Sequence, residues 1–122
     1  MKKAITATLA CLMLLFVSCN DKDNYGYPSK VNFSTNGGKK VILGSNDFDI
    51  LEINSYAGNG KVSSTENSDS LIVTNQWLTV RCRKYDKKLV LIAEPNRTGK
   101  SRKMYVSGWV MDSSAEIKVT QN

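Results

Sequence analysis

The chain contains no histidine, and that absence removes the commonest general base and the commonest metal ligand together. Catalytic triads built on histidine and the usual zinc sites are thereby excluded. Helical periodicity is missing too, since no window beyond residue 30 repeats its apolar residues at three- and four-residue steps. Proline is confined to Pro28 and Pro95. Long apolar runs are also lacking: Ala7 to Val17 falls short of the ~18 residues that a membrane-spanning helix needs.

What is present begins with a targeting segment. Lys2 and Lys3 precede the apolar run, which ends in Phe16-Val17-Ser18-Cys19 and gives way at once to Asn20-Asp21-Lys22-Asp23. The ending resembles the lipobox of bacterial lipoproteins, with Phe16 in place of the usual leucine. The resemblance implies cleavage after Ser18 and lipidation of Cys19, which would tie the chain to the lipid bilayer; the alternative is an ordinary signal peptide cut elsewhere. Residues 1–18 are thus expected to be a lipoprotein signal peptide, and residues 19–29, NDKDNYGYPS after the cysteine, a flexible tether. Acidic residues directly after Cys19 resemble the surface-export signal of Bacteroidetes lipoproteins, which implies an outer-membrane protein facing the cell exterior; a plain spacer facing the periplasm is the other reading. Cys11 leaves with the leader, so Cys82 is the thiol left in the mature domain and an intrachain disulfide is excluded. The formal charge of +6 falls to +4 once Lys2 and Lys3 are removed.

Residues 30–122 alternate apolar and polar positions in short runs punctuated by Gly, Asn, Asp and Ser. Strands are expected at Val31–Ser34, Lys39–Leu43, Phe48–Ile53, Leu71–Val73, Trp77–Arg83, Leu89–Ala93, Lys103–Val110 and Ala115–Gln121. Leu89–Ala93 is apolar at every position, the pattern of a strand at the centre of a core. Met104, Val106, Gly108 and Val110 face inward against Ala115, Ile117 and Val119. This rhythm predicts an all-β, immunoglobulin-like antiparallel β-sandwich of about seven to nine strands.

Four pieces, Val31-Asn32-Phe33-Ser34 with Asn36-Gly37-Gly38, Gln76-Trp77-Leu78-Thr79-Val80, Asn96-Arg97-Thr98-Gly99-Lys100 and Ile117-Lys118-Val119-Thr120-Gln121, resemble in order and spacing a BACON domain, the Bacteroidetes-associated carbohydrate-binding, often N-terminal module. The resemblance implies the same sandwich and a role in binding host mucin or dietary glycans, though such modules also serve as spacers. Phe48 stands where the family commonly has tryptophan, and Asn54 to Thr74 is an insertion relative to it.

Tyr105 and Trp109 project from the face of their strand opposite Met104, about 13 Å apart, a spacing suited to stacking on more than one sugar ring. Arg102 and Lys103 stand nearby as hydrogen-bond donors. The alternatives are that another segment covers these rings, or that a register slip turns Trp109 inward. Trp77 is expected in the core. Nine basic residues, Arg81, Arg83, Lys84, Lys87, Lys88, Arg97, Lys100, Arg102 and Lys103, crowd one part of the sequence with only Asp86 and Glu94 opposing; they form either a solvated surface or an attraction for acidic glycans or for the acidic lipopolysaccharide of an outer membrane. Asp69-Ser70-Leu71 resembles the O-glycosylation motif of exported Bacteroidetes proteins, with Ser70 as acceptor. Glu94 to Ser101, EPNRTGKS, ends like a phosphate loop but has Glu94 in place of the first glycine and a strand rather than a helix after it, and is expected to be a hairpin loop. Neither Asp47 with Asp49 nor Asp21 with Asp23 carries the further oxygens of a calcium loop. No metal, cofactor, nucleic-acid partner or enzymatic activity is expected. Two functions stay open: a glycan-binding surface lipoprotein, or an accessory lipoprotein that engages an outer-membrane protein through a sheet edge or the insertion.

Overall fold

A computed structural model describes residues 24–56, 60–64 and 68–122. The leader and Cys19 lie outside the described residues. Nine strands are seen among those described: β1 (Lys30–Phe33), β2 (Gly38–Leu43), β3 (Ile50–Asn54), β4 (Lys61–Ser64), β5 (Ser70–Asn75), β6 (Leu78–Arg83), β7 (Lys88–Ala93), β8 (Arg102–Val110) and β9 (Ser113–Gln121). They form a five-stranded sheet ordered β1-β9-β8-β3-β4 and a four-stranded sheet ordered β2-β7-β6-β5. All neighbours are antiparallel except β1, which runs parallel to β9 with Val31 beside Val119. The result is the immunoglobulin-like β-sandwich that the alternation predicts.

The inward positions supply the core: Leu51 and Ile53 on β3, Leu71 and Val73 on β5, Leu78, Val80 and Cys82 on β6, Leu89 and Leu91 on β7, Met104 and Val106 on β8, Ile117 and Val119 on β9. Truncating one of these leucines to alanine costs about 2–5 kcal/mol, so the described residues, whose cysteine Cys82 is free, hold together on this layer. β7 is interior as expected, although Val90 and Ile92 on its outer side stay half-exposed.

Three sequence expectations are corrected. Asn24 to Ser29, expected as tether, is packed: Tyr27 is buried with its hydroxyl donating to Asn46 O at 2.8 Å, and its ring lies 5.2 Å from that of Phe48. Phe48 is large enough to fill the space above Gly108, where a Cβ would come within 2.6 Å of the ring. Second, Glu94 to Ser101 is a crossover between sheets, because β7 pairs with β2 and β6 whereas β8 pairs with β9 and β3. Third, Trp77 stands in the turn before β6, after Gln76 at φ 57°, and is buried there. The segment Asn54 to Thr74 holds an edge strand, β4, which forms a hairpin with β3 through Glu52↔Val62.

Candidate functional site

Ser34, Trp77, Asn96 and Gln121 converge on one end of the sandwich. Gln121, the inward position after Ala115, Ile117 and Val119, is 0 % exposed. Its Nε2 donates to Ser34 O at 3.1 Å and to Glu94 O at 2.7 Å, and its Oε1 accepts from Arg102 Nε at 2.9 Å. Arg102 Nη2 reaches Glu94 O and Pro95 O, and the guanidinium lies 4.8 Å from the centre of the Trp77 ring. Asn96 is buried, donating to Lys100 O and Asn122 O while its Oδ1 accepts from the Thr98 backbone N–H and hydroxyl. In the loop that ends like a phosphate cradle, the N–H groups of Asn96, Thr98 and Lys100 are thus spent on Thr35 O, Asn96 Oδ1 and Thr98 Oγ1. Buried polar groups satisfied this fully act as a structural lock.

Arg102 is consequently not where the sequence reading put it. It shares the inward parity of Met104, and its Nε and Nη2 donate within the lock. Lys103 does share the outer face of β8 and is exposed, at the far end of the strand from Trp109. Tyr105 and Trp109 project together from that outer face as expected, both half-buried.

Strand register shows what surrounds them. Trp109 lies between Ile50 of β3 and Ser114 of β9, Ser107 between Glu52 and Glu116, and Tyr105 between Asn54 and Lys118. Ser107 is the small, buried floor of a groove of about 480 Å³ walled by Trp109, Tyr56, Glu52, Asn54, Ser114 and Glu116. Tyr56 stacks at 4.8 Å on the Tyr105 ring, inclined by 52°, and its hydroxyl donates to the Glu116 carboxylate. That hydrogen bond, ahead of burial and the nearby charges of Glu116 and Glu52, pushes the Tyr56 phenol up to about 12. The two carboxylates sit on strands that flank β8, so their backbones are about 10 Å apart.

Sequence reasoning passed over Tyr56, Glu52 and Glu116. Glu52 and Glu116 are legible by parity, since Leu51, Ile53, Ala115 and Ile117 are inward; bringing Glu116 opposite Ser107 needs the register set by the Met111-Asp112 turn. Tyr56 depends on the β3–β4 hairpin, whose serine-rich second strand gives little signal.

The remaining predicted residues are dispersed. The nine basic residues divide among the outer face of the four-stranded sheet, the β6–β7 turn, the crossover, the lock and Lys103. Ser70 is exposed at the start of β5. Cys82 is buried, and burial, with smaller contributions from Asp47 and Asp86, pushes its thiol up to about 12. Asp47 accepts a hydrogen bond from the Tyr85 N–H at 2.9 Å. No group of three metal-ligating side chains occurs among the described residues.

No family model matches the chain, and no curated protein does. A solved structure, the NMR structure of a protein from Bacteroides thetaiotaomicron, is similar to it with a TM-score of 0.50 at 17% identity, covering 80% of this chain and 82% of that one. The likeness concerns the fold.

Proposed function

We propose that the chain is a lipid-anchored, surface-facing protein of the bacterial outer membrane whose BACON-like sandwich binds glycans in the groove of Tyr105, Trp109 and Tyr56, without catalysis. The observation that carries this reading is the groove itself: Trp109 and Tyr56 line it, Tyr105 supports the Tyr56 ring, and hydrogen-bonding side chains from three strands stand between. Sugars present apolar faces to such rings and hydroxyls to carboxylate and amide acceptors. Glu52 and Glu116 repel anions, while Arg102 is committed elsewhere. The proposed ligand class is accordingly a neutral glycan rather than a sulfated or sialylated one.

A glycan array probed with residues 20–122 at low and high salt tests the proposal. Recognition of neutral glycans that persists in high salt, and falls at least about tenfold in Tyr105→Ala with Trp109→Ala, is expected. Silence from a folded domain, or binding confined to acidic glycans and lost in salt, overturns it.

A further inference from the structure

The opposite broad side of the sandwich, the outer face of the four-stranded sheet, has the reverse character. Register places Ile72, Arg81, Val90 and Val41 in one row across all four strands, with Leu43 beside Lys88 in the row next to it. Leu43 is 69% exposed, and Val41 and Ile72 are more than half exposed. Arg81, Arg83 and Lys88 surround a hollow of about 380 Å³ in which Asp86 is the opposing charge among the described residues. At the end of this sheet Tyr85 is 75% exposed in the left-handed backbone region, φ 75°. Glycine or asparagine suits such a turn position better than a large aromatic, so the fold does not account for a tyrosine there. Lys84 Nζ lies 5.6 Å from its ring centre. Apolar side chains interspersed with cations are the composition of a surface that lies in the headgroup layer of a membrane.

The chain outside the described residues favours the same occupant. Cys19 precedes Asn24 by five residues, no more than about 18 Å of extended backbone, and Tyr25 O accepts from Ser45 N, just beyond Leu43. We propose that the outer face of the four-stranded sheet docks on an anionic lipid bilayer, Leu43, Ile72 and Val41 contacting the interface and Arg81, Arg83 and Lys88 its phosphates. The domain then lies on the membrane with the Tyr105–Trp109 groove turned outward. The orientation rests on the anchored, groove-binding reading above; the docking stands on the face alone. Ser70 lines the same hollow, so a glycan on Ser70 and a docked bilayer exclude each other.

The test is co-flotation of residues 20–122, which contain the whole described core, with vesicles of phosphatidylcholine with and without phosphatidylglycerol. Because this chain lacks Cys19, the outcome is independent of lipidation, which the mass of the processed full-length chain reports separately. Flotation with the phosphatidylglycerol vesicles alone is expected, reduced at least about tenfold by Arg81→Glu with Lys88→Glu and again by Leu43→Ser with Ile72→Thr. Both pairs are exposed, and unchanged circular dichroism confirms that each variant is folded. The Tyr105→Ala, Trp109→Ala variant is expected to float like the parent. Failure of the parent to float overturns the proposal and points to a protein partner for this face, as does flotation that neither pair of substitutions weakens.

Discussion

The locked end of the sandwich and the groove on its five-stranded sheet are both built from β8 and β9, yet they use those strands in opposite ways. At the locked end, inward positions carry polar side chains, Arg102 and Gln121, which bond to each other and to backbone carbonyls of two connections, at Ser34 and at Glu94-Pro95. In the groove, outward positions carry Trp109 and Glu116 around a space of about 480 Å³, with Tyr105 on the same face behind Tyr56. Ser34, Trp77, Asn96 and Gln121 thus close the sandwich, and the proposed binding positions lie elsewhere on the same two strands.

Substitutions should separate the two regions. The largest effect is expected at Gly37, where φ is +77° and an added Cβ would stand 2.3 Å from Ala93 O; Gly37→Ala should cost roughly 3 kcal/mol or more in urea unfolding. Gln121→Ala comes next, at about 1–3 kcal/mol, because it removes the donor to the part-buried Ser34 and Glu94 carbonyls and the acceptor of Arg102 Nε; at temperatures where it stays folded it should bind glycans as the parent does. Tyr105→Ala with Trp109→Ala should lower stability by only about 1–2 kcal/mol, both rings being half-exposed, and should remove binding. A double variant that unfolds outright would place those rings in the core and erase the distinction.

Alkaline pH offers a subtler probe. The Cys82 thiol and the Tyr27 phenol, desolvated by burial, are each raised to about 12 from ordinary values of 9.0 and 10.0. The folded state thus holds protons that the unfolded chain releases, so this stabilisation is complete below about pH 9 and is lost as pH rises from 9 towards 12. Thermal melts should be flat in this respect up to pH 9 and fall above it, and Cys82→Ala should flatten the first part of that fall. For the same reason Cys82 should react with a thiol reagent only on unfolding, a measure of opening in the residues 20–122 domain.

Much of the fold was legible because the alternation of inward and outward residues is clean where both sheets are buried. Met104, Val106, Ile117 and Val119 announce their face, and Leu89 and Leu91 announce an interior strand. Legibility failed where a side chain's role depends on distant backbone. Arg102 looked like a ligand donor because it is a cation near two aromatics, although its parity with Met104 already directed it inward. Gln121 carried the same signal, a polar residue at an inward position. Of the groove, Tyr105 and Trp109 were visible as a pair, whereas Tyr56 and the flanking glutamates required strand pairing across β3, β8 and β9. Asn24 to Ser29 looked like tether since Gly26 and Pro28 mask two tyrosines, of which Tyr27 is a core residue.

The most direct measurement is amide chemical-shift mapping of the residues 20–122 domain titrated with a neutral oligosaccharide selected from the array. Shifts concentrated at Glu52, Tyr56, Tyr105, Ser107, Trp109 and Glu116, with Gln76, Asn96 and Gln121 still, are the predicted result. Shifts centred instead on the locked end, or on Arg81 and Lys88, would contradict the assignment of binding to the groove.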